Sequence, residues 1–107
     1  MRIDPRPGEV YSVDLGLAAK ARSILVVSIR EDQAPLAVIT GLSFTSQYHR
    51  SAYEVVLPKL AWMRDQSYVN VQSLSGYKFV EWQRLQGKLD ASVMGQVHQA
   101  LRRWLGF

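Results

Sequence analysis

Arg22-Ser-Ile-Leu-Val-Val-Ser-Ile29 decides the fold class. From Ile24 to Ile29 the run is almost wholly apolar and β-branched, the composition of a strand covered on both faces. Upstream of it Tyr11, Val13 and Leu15 alternate with Ser12 and Asp14, which predicts a half-buried strand. Gly16 to Ala21 is the short loop between the two, and residues 1–8, with two prolines and a glycine, form an extended lead-in. Downstream, Arg30-Glu-Asp-Gln33 is a polar turn, and a strand follows Pro35 from Leu36 to Thr40. Gly41 to Arg50 is polar and has no clear period, so it reads as a loop or a strand end giving way to one. Alternation returns with Tyr53, Val55 and Leu57 on one face and Glu54 on the other, closed by Pro58. A fifth strand is predicted from Tyr68 to Ser73, with Val69 and Val71 inward. Residues 77–89 fit two patterns: one helical face formed by Phe79, Trp82 and Leu85, or a strand with a tight turn. After Asp90, a good N-cap, Val93, Met94, Val97, Leu101 and Trp104 recur at helical spacing, and Gly106 stops the helix. Short strands in series with one closing helix predict a mainly β chain with a C-terminal α-helix, a small SH3-like β-barrel in one domain over residues 1–107.

Composition bounds the function. The chain has 107 residues, 48% of them hydrophobic and 21% charged, which is ordinary for a globular domain. Thirteen basic against nine acidic residues give a net charge of +4, compatible with a polyanionic partner without requiring one. No apolar run is long enough to span a membrane, and MRIDPRPGEV lacks the core of a signal peptide, so the cytoplasm is the expected location. The absence of cysteine excludes disulfides, thiolate metal sites and cysteine nucleophiles.

No glycine-rich phosphate loop, HExxH or nucleophile elbow is present. His49 and His98 are far apart and the acidic residues are scattered, so neither a metal nor a cofactor is expected. What remains is polar chemistry around strand ends. Arg22, with Lys20 two residues before it, stands just ahead of the apolar strand. It is either a guanidinium able to grip a phosphate in bidentate fashion or a solvated loop charge. Thr45-Ser46-Gln47 offers two hydroxyls and an amide to a phosphate or base edge, or is ordinary turn chemistry. His49 shares a face with Thr45 if that stretch stays extended, and is then the nearby group suited to proton transfer near neutrality. The other reading is a surface histidine, and His98 reads as a helix-flank residue. Tyr48, Tyr53 and Tyr68 can stack on unpaired bases where they are exposed; for Tyr53, packing is the favoured role. Trp62 is placed in a core cap or a subunit interface, and Trp82 and Trp104 in the core.

The order of these stretches resembles the PemK/MazF/Kid family of type II toxin–antitoxin ribonucleases. Gly8-Glu-Val-Tyr-Ser-Val-Asp-Leu15 resembles the family's first strand, and Ala21-Arg-Ser-Ile-Leu-Val-Val-Ser28 its arginine–proline–strand signature. Phe44-Thr-Ser-Gln47 with Tyr53-Glu-Val-Val-Leu57 resembles its threonine/serine loop and return strand. Ser67-Tyr-Val-Asn-Val-Gln72, Gly87-Lys-Leu89 and the helical tail resemble its C-terminal third. The resemblance covers residues 8–107. It implies an SH3-like barrel with a terminal helix and a homodimer that cleaves single-stranded RNA without metal. It also implies silencing by a cognate antitoxin and contact with operator DNA through the antitoxin complex.

Carried over position by position, the catalytic arginine falls on Arg22 and the catalytic threonine on Thr45. Ser46 and Gln47 fall on the RNA-contacting loop, with Lys20, Tyr48 and Gln72 as further RNA contacts. His49 is the candidate base, because arginine is too basic to accept a proton readily. The chain departs from the pattern at Ser23, where proline is usual, in the short loop 16–21, and in Gln72-Ser73-Leu74-Ser75, where several members carry an acid and an arginine. Two other readings share the barrel: a non-enzymatic nucleic-acid-binding module and a protein-interaction domain.

Overall fold

The computed structural model describes residues 3–16 and 21–107. Strands β1 (Glu9–Val13), β2 (Arg22–Val26), β3 (Val38–Thr45), β4 (Glu54–Val56), β5 (Tyr68–Asn70), β6 (Ser75–Lys78) and β7 (Trp82–Lys88) precede one helix, α1 (Ala91–Leu105). One-turn 3-10 helices at Val71–Ser73 and Phe79–Glu81 link β5 to β6 and β6 to β7. Every strand pairing is antiparallel, in the order β4-β5-β3-β2-β1-β7. β6 shares the β5 edge of β3, taking Val38–Gly41 and leaving Phe44 and Thr45 to β5.

The mainly β architecture with a C-terminal helix is as expected, but the sheet does not close into a hydrogen-bonded barrel among the described residues. Side-chain packing joins its ends instead. Val55 of β4, Val10 of β1 and the helix residues Val93, Met94 and Val97 belong to one buried cluster, and Trp62 lies against Gly87 of β7.

The β2 sequence is apolar on both faces because it serves two cores. Leu25 enters the cluster shared with α1, β4 and β5, whereas Ile24 and Val26 enter a second one with Tyr11, Val13, Ile39 and Trp82. All three β2 residues are fully buried, each burial stabilising the fold by roughly 1.5–3 kcal/mol. β2 is shorter than its apolar run, ending at Val26. Val27 and Ser28 turn their amides to the Thr40 carbonyl, and Ile29 is exposed.

β3 differs in the other direction. Leu36 lies outside it, 70% exposed, and the polar stretch through Thr45 stays extended. Pairing on both edges holds it there, since β2 takes Gly41–Ser43 while β6 and β5 divide the other side. Where that edge passes from one partner to the next, the Ser43 amide donates to Ser73 Oγ at 3.0 Å.

The remaining departures are local. β5 stops at Asn70, whose side chain accepts the Gln72 amide and turns the chain into the 3-10 helix. Residues 77–89 take the strand-and-tight-turn pattern. Asp90 caps α1 by accepting the Val93 amide at 2.9 Å, and Gly106, at φ 83°, ends it. Trp104 is not in the core: it is 45% exposed at the helix end, edge-on to Tyr53.

Candidate active site

Strand register assembles the site. β2 pairs with β3 as Ile24 with Ser43, and the same register carried two residues on sets Arg22 across from Thr45. On the far edge of β3, Thr45 pairs with Tyr68, and Tyr68 pairs in turn with Val56 of β4. Thr45 and Tyr68 are thus paired one strand spacing, ~4.8 Å, apart, and Arg22, just past the last β2–β3 pair, continues the row on the same face and lines one cleft with Thr45. Side chains alternate along a strand, so this row lies on the face of the second cluster, where Ile24, Val26 and Ile39 are buried. A parallel row one pleat inward carries Ser43, then Asn70 paired with Glu54.

The two rows frame a cleft of about 290 Å³ lined by Arg22, Ser43, Thr45, Gln47, His49, Glu54, Asn70 and Ser73. Arg22 is exposed, and its guanidinium makes no hydrogen bond or ion pair among the described residues. A guanidinium left open beside a hydroxyl is suited to a phosphate. The Gln47 amide donates to Thr45 Oγ1 at 3.1 Å, fixing the hydroxyl.

Sequence patterning singles out His49 but not the residue that holds it. Glu54 is 1% exposed at its side chain and accepts from the His49 amide at 2.9 Å, the Ser51 amide at 3.0 Å and Ser51 Oγ at 2.8 Å. Its burial alone would raise the carboxyl pKa. The hydrogen bonds from the His49 and Ser51 amides, Ser51 Oγ and the His49 ring outweigh that and lower it from 4.5 to about 2. The group is thus a carboxylate at neutral pH and can only accept. His49 Nδ1, 3.3 Å from Glu54 Oε2, is therefore the donor of that pair, and Nε2 is the ring nitrogen left without a partner among the described residues. The same knot holds Arg50 at φ 56°, in the left-handed region, between two tethered neighbours. The sequence signal for Glu54 is a lone acid in the otherwise apolar run Tyr53-Glu-Val-Val-Leu57.

Of the residues singled out from sequence, Arg22, Thr45, Gln47 and His49 meet in this cleft. Ser46 lines a different cleft, and Tyr48, between Gln47 and His49 in sequence, is outside the lining and stacks on Tyr68. Gln72 is exposed outside the cleft lining, where its neighbours Asn70 and Ser73 are found instead. Lys20 lies outside the described residues. Ser23, at the departure from the family's proline, donates to Gln86 Oε1 at 2.8 Å on the opposite face. Among the described residues no group of three or more histidine or acidic side chains gathers to hold a metal ion, and no helix is long and apolar enough to cross a membrane.

Comparison with solved structures places the architecture. An endoribonuclease from a mycobacterial species, solved with its cognate antitoxin, matches over 96% of this chain and 96% of its own, with a TM-score of 0.79 at 23% identity. The Mycobacterium tuberculosis toxin MazF-mt6 matches over 95% of this chain and 98% of its own, with a TM-score of 0.77 at 20% identity. This chain has the MazF fold. A chain of the MazE–MazF complex from Deinococcus radiodurans matches over 98% of both, with a TM-score of 0.79 at 19% identity. No protein-family model matches the sequence, and neither does any curated protein. The MazF fold accounts for the order of the strands; the row Arg22–Thr45–Tyr68 comes from this chain's own register.

Proposed function

We propose that the chain is a toxin of a type II toxin–antitoxin system, an endoribonuclease that cleaves single-stranded RNA without a metal. The observation that carries this reading is the unpartnered Arg22 set across from Thr45 in a cleft that also holds His49, on the fold of proteins named as toxins and endoribonucleases. In this reaction the ribose 2′-oxygen attacks the adjacent phosphorus. The O2′–P bond forms and the P–O5′ bond breaks, leaving a 2′,3′-cyclic phosphate and a 5′-hydroxyl. His49 Nε2 takes the 2′-hydroxyl proton, and solvent protonates the leaving 5′-oxygen. Arg22 and the Thr45 hydroxyl stabilise the charge that grows on the phosphoryl oxygens. Glu54 keeps the imidazole in the accepting tautomer.

The partners follow from the same reading: a cognate antitoxin, operator DNA reached through the antitoxin complex, and a second copy of the chain in the cytoplasm. An apolar end formed by Leu36, Val38, Phe79 and Val80 supports a protein partner, with Leu36 70% and Val80 80% exposed. Sedimentation at twice the 12.2 kDa chain mass is expected at micromolar concentration; a purely monomeric protein would remove the homodimer from the proposal.

The deciding experiment incubates purified protein with a long single-stranded RNA in EDTA, beside Arg22→Ala and Thr45→Ala. Fragments with 5′-hydroxyl ends from the parent alone are expected. Intact RNA in every lane, with the parent folded, would replace the enzyme by a binding module.

A further inference from the structure

Tyr48 and Tyr68 stack face to face, with ring centroids 4.5 Å apart and planes 4° from parallel. Tyr68 is the cross-strand partner of Thr45, so the stack begins one strand spacing from the hydroxyl at the proposed phosphate position. One face of Tyr48 is taken by Tyr68, yet 40% of the residue remains exposed, so its open surface is the far face and edges of the ring. Tyr48 is also tied down on both sides. The preceding amide, of Gln47, donates to Thr45 Oγ1, and the following amide, of His49, donates to Glu54. An exposed ring fixed before its ligand arrives loses little entropy on binding.

We infer that the Tyr48–Tyr68 stack is a base platform: an unpaired nucleobase of the strand whose phosphate is held by Arg22 and Thr45 extends the stack on the open face of Tyr48. This rests on the ribonuclease reading and adds to it the means by which a base, as distinct from the backbone, is held. Every base has a π-face, so the platform favours unstacked single strands over duplexes and purines over pyrimidines by contact area.

The test compares two non-cleavable probes, a short 2′-O-methyl oligoadenylate and a strand of equal length and backbone that lacks bases. Tyr48→Ala is expected to weaken oligoadenylate binding by about 10-fold and leave the abasic strand unchanged. Tyr48→Phe retains wild-type binding because the ring is kept. Tyr48→Leu, which still covers Tyr68 and guards against a folding artefact, behaves as the alanine variant. Arg22→Ala weakens both probes. If Tyr48→Ala weakens both strands equally, or neither, while Arg22→Ala still weakens both, the platform is refuted and the ribonuclease reading stands. If the wild type binds neither probe, or Arg22→Ala changes neither, the reading of the cleft fails and the platform with it.

Discussion

Two clefts of nearly equal size, about 290 and 310 Å³, flank the same strand ends, with Phe44 between them. Alternation sends Arg22 and Thr45 into one and Ser23 and Ser46 into the other. The second is also lined by Trp62, Arg64, Asp65 and Gln86, so it lacks neither charge nor aromatic surface. Some of its polar groups answer one another: Ser23 Oγ donates to Gln86, and the Gln66 side-chain amide donates to the carbonyls of Leu57 and Ser67, whereas Arg64 and Asp65 face solvent. In the first cleft the acceptors are spent positioning a loop, while the guanidinium and the imidazole Nε2 stay open to a ligand. Volume does not separate a site from a crevice here, and neither does an arginine unpaired among the described residues, since Arg64 is one too; the meeting of Arg22, a tethered Thr45 hydroxyl and an imidazole held by Glu54 does.

The sharpest break between the clefts is an arginine removed from each. Arg22→Ala is expected to lower kcat on single-stranded RNA by about 100- to 1,000-fold, the usual consequence of deleting a group that stabilises transition-state charge. Arg64→Ala is expected to leave cleavage within about two-fold, since rim charges act weakly. Equal losses in steady-state assays of both variants would mean that the cleft has been misassigned.

A methyl group on the β-sheet gives the next largest contrast. A Cβ at Gly41 would run into Ile24 Cγ2 and lie 2.9 Å from the Leu25 carbonyl oxygen, pressing β2 away from β3 and so Arg22 away from Thr45. Gly41→Ala is therefore expected to cost about 1–3 kcal/mol, read as a fall in Tm, and to reduce cleavage as well. At Gly87 the methyl would meet the Trp62 indole, a side chain of the second cleft. Gly87→Ala should lower Tm while the folded enzyme keeps its kcat.

Glu54 sharpens the comparison through pH. Its folded-state pKa is depressed, from 4.5 to about 2, so the stability it contributes is present above about pH 4.5 and is lost as the pH falls toward 2. Glu54→Gln should flatten the dependence of Tm on pH across that window. At neutral pH it should lower kcat about 10-fold, because the amide no longer fixes the His49 tautomer. A Tm–pH curve unchanged by the substitution would show that the His49–Ser51 loop does not depend on the carboxylate.

The parts of this molecule legible in sequence are those where one local rule decides. The Asp90 cap, the stop at Gly106 and the double-sided burial of Ile24-Leu-Val26 each follow from a single pattern. Gly41 to Thr45 was ambiguous because its extended conformation is imposed by partners on both edges, which polarity does not reveal. The strand expected through Ser73 ends early for a related reason: the Asn70 side chain accepts the Gln72 amide and turns the chain at the end of β5. Trp104 falls on the core face by helical spacing, but spacing does not give how far along the helix that face stays covered. The site shows the same division. Arg22 and Thr45 were visible as residue types at strand ends, whereas their opposition is a matter of register, and the role of Glu54 depends on a loop folding back over it.

The smallest effect tests the Ser23–Gln86 pair of the second cleft. Ser23→Ala removes the donor to Gln86 Oε1 from a part-buried pair, and one hydrogen bond of this kind is worth about 0.5–1.5 kcal/mol. Because Gln86 is also part-buried rather than sealed, water can replace the serine, which places the expected cost at the lower end of that range. Cleavage should not change, since Ser23 points away from Arg22 despite adjoining it in sequence. Thermal unfolding and single-turnover cleavage of the same preparation separate the two quantities. A loss of cleavage with Tm intact would make the serine at this position part of the RNA path, and the two clefts would then have to be read as one continuous groove around Phe44.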